Sequence, residues 1–340
     1  MSLFVKKSVE DLLHEADNEG GRGLRRVLGP WALIALGVGV IVGAGLFSVT
    51  GIVAGVHTGP AIVVSFAIAA VACALAGLCY AEFASMLPVS GSAYTYSYFT
   101  MGELVAWVIG WDLVLEYAVA AVAVSVSWSK YFCVLMQDIG CPLPLEWTAC
   151  PADGGAFNVP AAALVVILSC ILMRGTKGSS RFNDIMVVLK IAVVLTFIVI
   201  GLRYVRSENL TPFLPENTGT FGEYGWSGIL RGAAIVFFAY IGFDAVSTAA
   251  QETKNPRRNM PIGILGSLLI CTVLYIVFSF VMVGVVDYHA YIGAESIAPA
   301  ATAVANMGDV GANGVVVPAY PWLNRGIIFA ILLGLSLIHI

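Results

Sequence analysis

Seven long apolar runs separated by polar stretches follow one another along the chain, at roughly 31–54, 61–86, 104–128, 158–173, 185–202, 229–250 and 262–286, and an eighth begins near Gly326. A helix that crosses a bilayer needs about 20 mostly apolar residues, and the runs are of that order. Backbone exposed to lipid must satisfy its own hydrogen bonds, so each run is expected to be helical. None shows the ten-residue alternation of a barrel strand. The pattern predicts an all-α polytopic membrane protein. Ahead of the first run, Met1–Asn18 has no apolar core and contains Glu10, Asp11 and Glu15, so it is not a signal peptide. Ser8-x-x-Asp11 reads as a helix cap, and a short amphipathic helix on the membrane surface is expected within a tail of residues 1–30.

Composition narrows the class. Of 340 residues, 59% are hydrophobic and 11% charged, against about 25% charged in soluble domains. A soluble enzyme, a nucleic-acid binder and a disordered chain are excluded. Thirty-six glycines and fourteen prolines exclude one continuous coiled coil. The net charge of −4 says less than its distribution. Lys6, Lys7, Arg22, Arg25 and Arg26 precede the first run, Arg174, Lys177 and Arg181 follow the fourth, and Lys254, Arg257 and Arg258 follow the sixth. These are eleven of the seventeen basic residues, and all fall on one side. The opposite side has Arg203, Arg206, Arg231 and Arg325. By the positive-inside rule the N-terminus is cytoplasmic.

Seven cysteines divide into two groups. Cys73, Cys79, Cys133, Cys170 and Cys271 lie in apolar runs or at their ends and read as fillers. Cys141 and Cys150 share the outward loop 137–159, where the alternatives are a disulfide and two free thiols. Asn209-Leu210-Thr211 matches a glycosylation sequon on the outer side, followed by Pro212.

The first run contains Gly37-Val38-Gly39-Val40-Ile41-Val42-Gly43-Ala44-Gly45. Each glycine weakens a helix by about 1 kcal/mol relative to alanine. A nucleotide-binding fingerprint fails here, because no strand-sized element precedes the run. Two readings remain. One is helix packing through Gly39-x-x-x-Gly43. The sharper one is an unwound break at Gly43–Gly45, whose free N–H groups can hold an anionic substrate group. The sixth run has a matching interruption, Phe237-Phe238-Ala239-Tyr240-Ile241-Gly242-Phe243-Asp244. The first and sixth runs are five apart in order, so they enter the membrane from opposite sides, the signature of an inverted repeat.

Ionisable residues inside spans cost about 2.5–3.5 kcal/mol each and invite functional hypotheses. Lys190 lies in the fifth run; Asp112 and Glu116 share one helix face of the third at i, i+4. Asp112 alternatively just bonds a neighbouring helix. For Glu82, Glu103 and Glu252 an interfacial contact serves as well as a transport role. His14, His57 and His289 fall in the tail or loops and His339 at the end, so neither a histidine relay nor a metal site is expected.

The glycine stretch Gly39–Gly51, Cys79-Tyr80-Ala81-Glu82-Phe83-Ala84-Ser85, Pro88-Val89-Ser90-Gly91-Ser92-Ala93-Tyr94-Thr95-Tyr96, Gly110-Trp111-Asp112-Leu113-Val114-Leu115-Glu116-Tyr117 and Phe237–Ser247 with Asn255-Pro256-Arg257-Arg258 resemble the amino acid–polyamine–organocation permeases. The branch they resemble is that of bacterial homologues of cationic amino acid transporters, in the right order over about residues 4–334. The resemblance implies a five-plus-five inverted-repeat (LeuT-like) fold, with the first repeat at 31–202 and an incomplete second repeat at 203–334. It implies that the backbone N–H groups of Ala44 and Gly45 hold an amino-acid carboxylate. The carbonyls of Ile41, Phe238, Ala239 and Ile241 would meet the ammonium. Lys190 matches the lysine that stands where sodium-coupled relatives bind sodium, and a fixed, shielded ammonium can replace a cation and exchange a proton.

The expected function is amino-acid import by proton symport, with amino-acid exchange or non-transporting reception as alternatives. Asp244, Glu116 and Asp112 suit a cationic substrate without requiring one. The expected partners are an amino acid, protons and the lipid bilayer, with no nucleic acid, cofactor or metal. The expected location is a bacterial plasma (inner) membrane. Leu335–Ile340 reads like a translated sequencing adapter, so the chain is expected to be a fragment that lacks the rest of the eighth span and the eighth-span partner of Lys190.

Overall fold

The computed structural model describes residues 26–173, 179–293, 298–310, 316–319 and 321–336, together with Lys6. The expected amphipathic helix of the tail lies outside the described residues, as do the last four residues of the adapter-like segment; Leu335 and Ser336 close the final helix. The described residues are helical apart from turns and one antiparallel ribbon, Gly308–Val310 with Val316–Pro318.

Among the described residues, five helices are long and apolar enough to cross a membrane: Gly45–Met86, Glu103–Asp138, Val187–Tyr204, Gly225–Glu252 and Pro256–Val285. Pro30–Ile41, Val159–Ile171 and Trp322–Ser336 are shorter apolar helices. Together they account for the eight apolar runs. The 42-residue stretch Gly45–Met86 would reach about 63 Å as one rod, twice the roughly 30 Å of hydrocarbon. Gly59, at φ 59° and ψ −145°, with Pro60 after it, divides it between the first and second runs.

The third helix, Glu103–Asp138, extends ten residues beyond the hydropathy boundary at 128, because nothing breaks the backbone before Gly140 at φ 83°. Its large apolar side chains face outward on several sides, Trp107, Trp111, Val114 and Leu115 among them, each about 60% exposed. In water that surface would be costly at roughly 25 cal/mol per Å²; against lipid it is not.

Contacts divide the chain into two units, and both helix interruptions fall on the boundary. The first unit comprises Met1–Ile41, Ala70–Ala120 and Tyr240–Cys271; the second comprises Val42–Ala69, Ala121–Ala239 and Thr272–Ile340. In the first unit, Pro30–Ile41 packs against the start of Pro256–Val285 through glycines. A Cβ on Gly37 would stand 2.5 Å from Ser267 Oγ and 2.9 Å from Val246 Cγ2, and one on Gly263 would stand 2.7 Å from Leu33 Cβ. Leu28 and Thr253 form a parallel bridge, with Leu28 N–H donating to Glu252 O (3.0 Å) and Lys254 N–H to Leu28 O (2.9 Å).

In the second unit, two small-x-x-x-small pairs bring backbones together. Gly228 lies against the His57 carbonyl, and Gly232 against Thr58, Ser65 and Val53. Gly51 lies against Pro299 and Gly55 against Tyr291. Close approaches are thus made by Gly37, Gly45, Gly51 and Gly55 of the glycine-rich stretch.

Cys141 and Cys150 are free, exposed thiols, and Cys150 Sγ lies 3.2 Å from Asp153 Oδ2. Asn209, of the sequon, donates its side-chain amide to Gly284 O at 2.9 Å.

Candidate substrate and coupling site

The first helix is regular from Pro30 to Ile41, bends at Val42–Gly43 and resumes as a π-helical turn, Gly45–Val49. The break starts one residue ahead of the expected Gly43. Leu46 and Phe47 N–H groups both donate to Gly43 O, at 3.1 and 3.2 Å. A π turn is wide and displaces carbonyls from their usual partners. Side chains from the third helix meet them: Tyr131 donates its hydroxyl to Phe47 O at 2.5 Å and accepts from Ala300 N–H at 3.4 Å. Ser127 and Ser48 hydrogen-bond to each other alongside. Tyr131 is fully buried, so Tyr131→Phe takes a hydrogen-bond donor away from a buried carbonyl. It is expected to cost about 1–3 kcal/mol, read as a lower unfolding midpoint in detergent; a change below about 0.5 kcal/mol would show that the π turn does not depend on it.

The sixth helix runs as α from Gly225 to Val236, tightens to a 3₁₀ turn at Phe237–Tyr240, turns through Gly242 and restarts at Ala245–Thr248. Gly242 holds φ 108°, a left-handed conformation open to glycine. The interruption matches the expected segment Phe237–Asp244.

Within the second unit the two interruptions touch. A Cβ built on Gly45 would overlap the Cα and Cβ of Ala239. Ala239 O accepts from the buried Tyr275 hydroxyl at 2.9 Å. One of the carbonyls expected to meet an ammonium is thus already held by a phenol, with its second lone pair unused by that bond. Ala44, Gly45 and Ala239 are buried and Phe238 half-buried in this unit; Ile41 and Ile241 belong to the first unit.

Of the three acids, Asp244 is buried, Glu116 half-buried and Asp112 exposed. Asp244 Oδ2 accepts from Tyr117 hydroxyl at 2.8 Å. The third helix thus engages the sixth through the residue next to Glu116, one that the charge pattern does not mark.

Lys190 is 4% exposed in the helix Ser179–Gly201. Its methylenes lie against Gly334, whose added Cβ would stand 2.8 Å from Lys190 Cγ. The neighbour comes from the helix Pro321–Ser336. That helix starts at Pro321, five residues before Gly326, and a glycine lets it come close.

His57 is corrected: it lies not in a loop but in the π turn Ala54–Thr58, buried, with Nδ1 2.7 Å from Gly222 O. Beside it, Tyr224 donates its hydroxyl to Gly55 O at 2.5 Å. Burial, then the charges of Tyr288, Glu223 and Asp287, raise the Tyr224 pKa above the ordinary phenol value, so it remains a donor at neutral pH.

Predominantly helical among the described residues and rich in apolar spans, the chain is an integral membrane protein. The family model for amino acid permeases matches residues 28–336. The chain is 48% identical over 298 residues to the branched-chain amino acid permease BcaP of Bacillus subtilis, covering 86% of this chain and 62% of that one. It is 46% identical to the methylthioribose transporter of the same organism (84% and 60% covered) and 39% identical to the vacuolar cationic amino acid transporter 4 of Arabidopsis thaliana (85% and 48%). The chain belongs to the amino acid permease family. Its relatives are transporters and permeases, not enzymes. The chain spans about 60% of the length of the two bacterial relatives.

Proposed function

We propose that the chain is the substrate-holding part of a secondary transporter that imports amino acids by proton symport with alternating access. The observation that carries this reading is the contact between Gly45 and Ala239, which sets one interrupted helix directly on the other. Helix interruptions expose donors on the side where a helix resumes and acceptors where one stops. The N–H groups of Ala44 and Gly45 take the substrate carboxylate, and the Phe238 and Ala239 carbonyls take its ammonium. Ile41 and Ile241 carry the same ammonium assignment from the family resemblance. Lys190, with Glu116, Asp112 and Asp244, forms the intramembrane polar set, and Lys190 is the coupling residue. The five-plus-five inverted repeat, with repeats at 31–202 and 203–334, a cytoplasmic N-terminus and a bacterial plasma membrane belong to the same proposal.

The named relatives carry branched-chain amino acids, cationic amino acids and methylthioribose. A site built from backbone donors and acceptors recognises what all α-amino acids share. Methylthioribose has neither a carboxylate nor an ammonium, so it discriminates this reading from a sugar transporter.

The test is uptake into proteoliposomes by the gene at the length of its relatives, against leucine, alanine, arginine and methylthioribose. Amino-acid accumulation driven by an acidic exterior and abolished by a protonophore is expected. Uptake that needs internal substrate and ignores the gradient would make the protein an exchanger. Uptake of methylthioribose alone would overturn the substrate assignment.

A further inference from the structure

A pocket of about 380 Å³ in the first unit is lined by Ser85, Met86, Leu87, Phe99 and Arg257. That volume falls in the range of small-ligand sites, roughly 300–1,000 Å³. It lies at the end of Ile62–Met86, beside the short helix Ser92–Thr100 and the start of Pro256–Val285. One apolar span ends at Met86 and another begins at Pro256, so the pocket sits where hydrocarbon gives way to headgroups.

Its walls are of two kinds. Met86, Leu87 and Phe99 give an apolar slot, and Met86 remains 59% exposed. Arg257 is the only charged side chain of the lining. It is exposed and flanked in sequence by Lys254 and Arg258, and among the described residues no carboxylate pairs with it. A planar guanidinium grips phosphate oxygens in a fork. A free phosphate would leave the apolar slot uncovered. A zwitterionic lipid would bring its own cation against Lys254, Arg257 and Arg258.

We propose that this pocket binds an anionic phospholipid, with the phosphate on Arg257 and the first acyl methylenes against Met86, Leu87 and Phe99. The proposal is independent of what the protein transports. Lipid-facing basic residues contribute about 1 kcal/mol each at an anionic surface, close to fivefold in affinity.

The test titrates the purified chain in detergent with dioleoyl phosphatidylglycerol or dioleoyl phosphatidylcholine and reads bound lipid by native mass spectrometry. The unmodified chain is expected to hold phosphatidylglycerol about fivefold tighter than phosphatidylcholine. Arg257→Gln is expected to remove most of that preference and Arg257→Lys to keep much of it, with inorganic phosphate failing to displace the lipid. Equal binding of the two lipids by the unmodified chain overturns the proposal and needs no variant to fold. So does an unchanged preference in Arg257→Gln. Displacement by inorganic phosphate would make this a free-anion site instead.

Discussion

Gly45→Leu is expected to abolish amino-acid uptake and to lower the stability of the chain by about 1–3 kcal/mol, the usual cost of overpacking. Even the Cβ of Gly45→Ala overlaps the Ala239 backbone, which cannot swing aside as the end of a flexible side chain can. Ala239 is also tied to Tyr275 through its carbonyl, so giving way would break that bond as well. The damage therefore falls on both interruptions at once. Gly326→Ala is the control: nothing lies within 4 Å of its would-be Cβ, and it sits inside Pro321–Ser336. Relieving a helix-interior glycine is expected to stabilise by about 0.5–1 kcal/mol. Thermal unfolding in detergent and proteoliposome uptake give the two readouts. Normal uptake by Gly45→Leu would mean that the contact is not part of the substrate site.

Lys190→Met is expected to abolish gradient-driven accumulation, while substrate counterflow persists. The substitution keeps the methylene stem, and with it the packing on Gly334, but removes the ammonium. Unfolding in detergent, read beside uptake, reports separately what loss of the ammonium costs in stability. That separates a coupling role from a structural one: a purely structural lysine would alter stability and leave the response to the gradient intact. Accumulation that still follows the proton gradient in Lys190→Met would end the coupling assignment.

Most of the helices were legible because lipid imposes so simple a rule. An apolar run of bilayer length reads as a span, and the interruptions at Gly43 and Gly242 stand out because glycine and polar groups are rare reasons to weaken a buried helix. The boundaries that were missed have a local cause. Hydropathy reports where lipid contact ends, whereas Glu103–Asp138 stops only where Gly140 takes a positive φ. Likewise, nothing in a uniformly apolar stretch distinguishes the π turns Gly45–Val49 and Ala54–Thr58 from α-helix. Hydropathy accordingly puts His57 in a loop, whereas it lies in the second of these turns. The pairs Gly51-x-x-x-Gly55 and Gly228-x-x-x-Gly232 are packing signals in the sequence, but spacing alone does not say which neighbour each pair meets.

The sequence by itself determined the membrane-spanning class, the order of the helices, the two interruptions and the identity of the few intramembrane charges. It did so because each depends on composition within one segment. Only the tertiary structure decided that Gly45 lies on Ala239, that Tyr131 meets Phe47 O, that Tyr117 donates to Asp244, and that Gly334 packs on the stem of Lys190. The two hydrogen-bonded pairs are 84 and 127 residues apart in the chain. The periodicity of a helix marks its own faces; the level and rotation at which another helix meets it are set by packing, where a missing Cβ or one phenol decides the contact.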